Sequence, residues 1–188
     1  MRKLIISMHV SLDGFAAVPG GDLGWAVVNE PIFETIAQLT KNADTAVYGR
    51  KTWEIMEAYW PGAWQKENAS KHDKEHSGWY NRVEHIVISN SMKGESGNTK
   101  FIGSPDAAGF IRALKSGPGK DILMLGSPTA AHLLMKEGLI DEYFMFVNAV
   151  LLGSGTSAFG GINEKRELKL KNVKKYPGDV TGMSYEKR

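Results

Sequence analysis

Cysteine is absent from this 188-residue chain. That absence removes disulfides, thiol nucleophiles and cysteine-ligated metals at once. No apolar run approaches the ~20 residues that a membrane-spanning helix needs. The apolar stretch behind Met1, Arg2 and Lys3 is too short for a signal peptide, because Asp13 and Gly14 follow where it would have to continue. A cytoplasmic protein without a membrane partner is expected. Charge of one sign is also scarce: 23 basic against 21 acidic residues leave a net +2. Nucleic-acid binders concentrate a basic excess on one face, so no nucleic-acid partner is expected. Internal repeats, low-complexity segments and linkers are missing, and residues 1–188 read as one domain.

What is present suits a packed core, with 42% hydrophobic and 23% charged residues. Residues 4–10 form a short run of branched apolar side chains that reads as a strand buried on both faces. Residues 45–48, 85–89 and 121–125 repeat that pattern. Between them, apolar residues recur at helical spacing around Phe33 and Ile36, around Trp53 and Met56, around Phe110 and Ile111, and around Leu133 and Leu134. Residues 11–24 read as a glycine-rich loop, 91–98 as a surface loop, and 65–80 as a mobile loop or frayed surface helix. Residues 142–152 read as one long strand, and the tail alternates with period two at 168–171 and 183–186. The order predicts a mostly parallel central sheet, helices on both faces, and antiparallel strands at the C-terminus.

Two strand-to-helix turns carry the best chemical signal. At Gly49, Arg50, Lys51 and Thr52 a buried strand meets a glycine, two cations and a hydroxyl at a helix start. Unpaired amides, the helix dipole and the cations together suit a phosphate at the carboxyl end of a strand. The second turn, Gly126, Ser127, Pro128 and Thr129, offers fewer amides because Pro128 has no N–H. It suits a pyrophosphate, or Ser127 is simply a helix cap.

Other patterns are discounted. Residues 153–158 match a dinucleotide fingerprint in letters, but Phe159, Gly160 and Gly161 follow instead of a helix. No strand-to-helix serine elbow exists. His72 and His76 have the spacing of a helical ligand pair, yet their segment lacks an apolar stripe, so they read as solvated surface histidines and no metal is expected. His9, His85 and His132 read as packed. Trp25 and Phe33 flank a long glycine loop and can wall a pocket for a flat heterocycle.

Three motifs in order carry a resemblance: Ser11, Leu12, Asp13 and Gly14; Ala43 and Asp44 through Gly49, Arg50, Lys51, Thr52 and Trp53; and residues 139–143 running into 150–155. They resemble the C-terminal reductase domain of the bifunctional riboflavin-biosynthesis deaminase–reductase and its stand-alone relatives, a group that shares its fold with dihydrofolate reductase. The resemblance covers nearly the whole chain. It implies a three-layer α/β/α fold and NADPH as cofactor. Arg50, Lys51 and Thr52 after Gly49 would hold the adenosine-side phosphates, Ser89 and Asn90 would line the adenosine end, and Gly126, Ser127, Pro128 and Thr129 would lie along the pyrophosphate. The family more often has two glycines at that last turn, and Ser127 replaces one. Leu152, Gly153 and Gly155 would sit near the nicotinamide or the substrate. Asp13 is either the polar group facing the substrate or a turn-forming residue before Gly14. In dihydrofolate reductases a carboxylate on the first helix holds the pterin; the candidates for that place are Asn29 and Glu30. The expected activity is reduction of a small heterocycle, in its best-defined version the ribosylamino-pyrimidine of riboflavin synthesis. Dihydrofolate reduction and a non-catalytic nucleotide-binding module are the alternatives. The resemblance, with the commonness of two-fold assemblies, also implies a homodimer.

Overall fold

The buried run near the N-terminus is strand β1, Leu4–Ser11, buried at every position except the half-buried His9. The computed structural model describes residues 1–188, and β1 lies in the interior of its nine-stranded sheet. Parallel neighbours are β7 (Asp121–Leu125), then β3 (Ala43–Gly49), β4 (Glu84–Ile88) and β6 (Thr99–Ile102) on one side, and β8 (Glu142–Asn148) on the other. The chain steps from β1 to β3 to β4 in one direction and returns from β6 to β7 to β8 in the other. Parallel crossovers keep a right hand, so the helices of the two legs fall on opposite faces.

The packing shows this division. Helices α1 (Glu30–Lys41), α2 (Arg50–Tyr59) and α3 (Lys71–Tyr80) cover one face, where Ile5, Tyr48, Leu123 and Leu125 meet Trp79, Tyr80 and Trp53. Helices α4 (Ser104–Ser116) and α5 (Pro128–Lys136) cover the other, where Leu4, Ile6, Met8, Ile122 and Met124 meet Ile111, Ala131 and Leu134. Alternation of side chains along each strand delivers both cores from the same residue run. Strands β10 (Leu168–Tyr176) and β11 (Val180–Lys187) form an antiparallel hairpin against β8, as the alternation of the tail predicts.

Four local expectations are corrected. The polar segment before Tyr80 is an ordered helix, held at its start by a capping box in which Ser70 and Asp73 satisfy each other's amides. His72 and His76 are buried, not solvated, at 8% and 4% exposure. They supply, with Trp79 and Tyr80, the face that packs on α1 and on the 3₁₀ turn Trp60–Gln65. The long strand expected to reach residue 152 stops at Asn148, whose side chain binds the Phe146 carbonyl while its own carbonyl turns back to the Val150 amide. The two expected loops contain short strands: β2 (Phe15–Ala17) pairs with β9 (Thr156–Ser157), and β5 (Gly94–Ser96) pairs with β6.

Candidate active site

The two turns singled out from sequence lie side by side. β3 and β7 are neighbours in the sheet, and the Gly49 amide donates to the Ser127 hydroxyl at 3.0 Å. A Cβ on Gly49 would stand 3.2 Å from the Ala130 methyl, so only glycine lets α5 approach this closely without a shift. A Cβ on Gly126 would lie 3.8 Å from the Thr52 methyl, so the two turns approach there as well. Ser127 is left-handed, at φ 61°, a costly conformation for a residue with a Cβ. That backbone aims its hydroxyl at Gly49 rather than into its own helix.

The result is a difference between helices. Asn29 caps α1 and Ser70 caps α3, and Asn90 accepts the Ser104 amide at the start of α4. Each of those three helices also carries an acid in its first turn: Glu30, Asp73 and Asp106. Helices α2 and α5 have neither a side-chain cap bond nor a first-turn acid. Their N-terminal amides, with the positive end of each dipole, are free for an anion. Both open at the carboxyl ends of adjacent parallel strands, where α/β sheets bind ligands.

Arg50 and Lys51 stand over the α2 terminus. The Arg50 guanidinium reaches Glu54 at 2.6 Å on the exposed helix surface. Such a pair contributes only about 0.3–0.5 kcal/mol, so a phosphate displaces the glutamate at little cost. Lys51 is exposed and makes no ion pair. Ser89 and Asn90 lie beyond β4 on the same rim. Both side chains serve their own backbone: the Ser89 hydroxyl accepts the amides of Ser91 and Met92, and Asn90 holds the α4 terminus.

A second group of loops closes the rim beside β1 and β8. The exposed Asp13 carboxylate accepts the Ser11 hydroxyl at 2.6 Å, the Gly153 amide at 2.7 Å and the Leu152 amide at 3.1 Å. The Ser11 hydroxyl and these amides hold its pKa below the ordinary carboxylate value. It therefore clamps the loop after β1 to the loop after β8. Gly155 completes the clamp: a Cβ there would lie 2.0 Å from the Ala17 carbonyl oxygen. Leu152 and Gly153 are placed by these bonds rather than by burial.

The remaining candidates are distributed differently. Asn29 accepts the Ile32 amide and donates to the Pro177 carbonyl, so its amide ties α1 to the turn between β10 and β11. Glu30 and Phe33 line a groove of about 440 Å³ between α1, α3 and β10, which contains none of the phosphate-turn residues. There Phe33 stacks on His72 at 3.9 Å. Trp25 is half-buried, with its indole N–H sealed from solvent and unpaired. No group of three or more histidine, aspartate or glutamate side chains could hold a metal ion. No helix is long and apolar enough to cross a membrane.

Sequence reading missed Asn148. Its amide links β8, β1 and the segment before α1, donating to Phe146 and accepting the Val27 amide at 2.9 Å. A lone polar residue ending an apolar strand was the available signal.

Fold and rim together define an open, mostly parallel α/β domain with two uncapped helix starts paired at the carboxyl ends of adjacent strands. The chain belongs to the RibD C-terminal domain family, whose model matches residues 2–181. It is 26% identical over 184 residues to the uncharacterized protein YyaP of Bacillus subtilis (strain 168), covering 98% of this chain and 94% of that one. Two solved structures share the fold. One is a pyrimidine reductase-like protein from Corynebacterium diphtheriae, at TM-score 0.71 and 16% identity over 100% of this chain and 92% of that one. The other is a Thermotoga maritima diaminohydroxyphosphoribosylaminopyrimidine deaminase/5-amino-6-(5-phosphoribosylamino)uracil reductase, at TM-score 0.69 and 15% identity. All of this chain corresponds to 57% of that bifunctional protein.

Proposed function

We propose that the protein is an NADPH-dependent reductase of a small heterocycle, with 5-amino-6-(5-phosphoribosylamino)uracil as the leading substrate. The observation that carries the reading is the pairing of two uncapped helix termini, α2 and α5, through the Gly49–Ser127 contact. NADPH supplies a hydride when bound. The amides after Gly49, with Arg50 and Lys51, would hold the phosphates of the adenosine half. The Thr129 amide and hydroxyl would face the pyrophosphate. The clamped loops at Asp13, Leu152 and Gly153 would wall the nicotinamide end and exclude water. A cation pair at the adenosine end favours the extra phosphate of NADPH over NADH, because a charged hydrogen bond to phosphate is roughly twice as strong as a neutral one.

Folate is the less suitable acceptor. Asn29 is occupied in capping α1, and Glu30 faces the outer groove. Neither supplies the carboxylate that holds a pterin in dihydrofolate reductases. The reading includes a cytoplasmic homodimer, which sedimentation at micromolar concentration tests. Steady-state NADPH oxidation tests the activity itself. Turnover with the ribosylamino-uracil and little with dihydrofolate is expected. Tight NADPH binding without turnover on any acceptor would favour a nucleotide-binding module instead.

A further inference from the structure

His9 is the half-buried residue of an otherwise buried strand. Its ring stacks on Phe146 at 4.9 Å and 20°. Its Nδ1 faces the Asn148 Nδ2 at 3.3 Å. The orientation of that amide is fixed by its other bonds. Asn148 Oδ1 accepts the Val27 amide at 2.9 Å, and Nδ2 donates to the Phe146 carbonyl at 2.9 Å. Turning the amide over would place an N–H against an N–H and an oxygen against an oxygen. Asn148 is 2% exposed, so no water relieves such a mismatch. Nδ2 keeps a second N–H, with His9 Nδ1 at 3.3 Å and the Val10 carbonyl at 3.5 Å, and the nearer atom, His9 Nδ1, is the acceptor. A neutral imidazole carries one proton, which must then sit on Nε2.

The ring is neutral at physiological pH because burial pushes its pKa down to about 4. Nε2 has no hydrogen-bond partner within the chain, and it is not among the sealed polar atoms. Its place on the rim follows from register. β1 pairs with β7 only as far as Ser7, opposite Leu125, but with β8 as far as Ser11. The last residues of β1 thus rise past the end of β7, where the Gly126 amide donates to the Ser7 carbonyl and the chain turns into α5.

We propose that His9 is a substrate-binding residue whose Nε2–H donates to a carbonyl oxygen or ring nitrogen of the bound heterocycle, with Asn148 as the positioning residue that fixes its tautomer. The substrate class is a flat ring with a polar acceptor atom at its edge, such as a uracil. The neutral donor orients and polarises that atom and transfers no proton. The inference rests on the reductase reading for the identity of the ligand.

Nitrogen-15 histidine spectra of the full chain test the tautomer, and titration with 5-amino-6-(5-phosphoribosylamino)uracil tests the contact. An Nε2–H tautomer at pH 7 and a shift of that proton on uracil addition are expected. In NADPH oxidation, His9→Phe should lose about 10–100-fold in kcat/KM with unchanged NADPH affinity. His9→Gln, which keeps an N–H donor, should recover most of it. Asn148→Asp, which offers His9 only acceptors, should move the proton to Nδ1. An Nδ1–H tautomer in the native protein, an Nε2–H unmoved by saturating uracil, or a His9→Phe enzyme as active as the parent overturns the proposal. Failure of the reductase reading looks different: no NADPH binding, with the tautomer and the uracil shift intact.

Discussion

The two ends of the central sheet use charge in opposite ways. At the amino end, ionic groups are consumed inside the protein. The buried Arg2 donates to the Lys120 carbonyl, the Thr45 hydroxyl and the Asp44 carboxylate. The buried Lys115 donates to the Leu139 carbonyl at 2.7 Å and pairs with Asp141 at 2.5 Å, while Asp141 accepts the Leu4 amide. At the carboxyl end, donors are left over: the first amides of α2 and α5, Lys51, and His9 Nε2. Both ends terminate the same strands, so geometry alone does not explain the contrast. A closed end is built for stability, and an end with unspent donors is built for a ligand.

Breaking the closed end should have the largest effect. Lys115→Met leaves Asp141 without its ion pair at the edge of the core. It should cost about 3 kcal/mol in urea unfolding, with NADPH affinity of the folded protein unchanged. A loss of affinity without loss of stability would erase the distinction between the ends.

Acid sharpens the comparison next, through a group that belongs to neither end. His76 is buried between Trp60 and Trp79 with both ring nitrogens unpaired, and burial pushes its pKa down to about 3. The unfolded chain binds this proton near pH 6.5, and the folded protein does not. Stability therefore falls as pH drops below 6.5, by about 1.4 kcal/mol per unit toward the folded value. Between pH 6.5 and 5 the loss should be about 2 kcal/mol from this residue alone. A His76→Phe variant should show a correspondingly flatter profile. Identical slopes would mean that the ring is protonated in the native state.

At the open end the effects should move from stability to binding. Arg50→Ala removes one exposed cation, so unfolding should change by no more than about 0.5 kcal/mol. NADPH affinity should fall about tenfold and NADH affinity much less. Equal weakening of both would detach Arg50 from the distinguishing phosphate. Ser127→Ala is the smallest and the least selective. Losing the bond to Gly49 should cost about 1 kcal/mol of stability and weaken both dinucleotides alike.

Much of the open end was legible from sequence, because a buried strand, a glycine and a helix start are local signals. Gly49, Arg50, Gly126 and Ser127 are each marked by their immediate neighbours. That the turns touch was not legible, since it depends on β7 inserting beside β3 in the sheet. The His9–Asn148 pair spans 139 residues and leaves no local trace. Helix α3 was obscured for another reason. Its buried positions 72, 76, 77, 79 and 80 cluster at helical spacing, but they are filled by histidine, serine and aromatics among lysines and acids. An apolar stripe drawn in imidazole reads as a polar segment. The sequence Ser70 to Asp73 was the surviving cue, as a capping box. Among the site candidates, Glu30 was singled out by likeness to the pterin-holding carboxylate and Phe33 by its place beside the glycine loop, and both line the groove between α1 and α3.

The central claim is that α2 and α5, the helices without caps or first-turn acids, hold the dinucleotide. Backbone amide spectra of the full chain titrated with NADPH test it most directly. The largest shifts should fall on Arg50, Lys51, Thr52 and Thr129, with the capped starts of α1 and α3 unmoved. Shifts centred on α1 and α3, or none along the carboxyl rim, would contradict it.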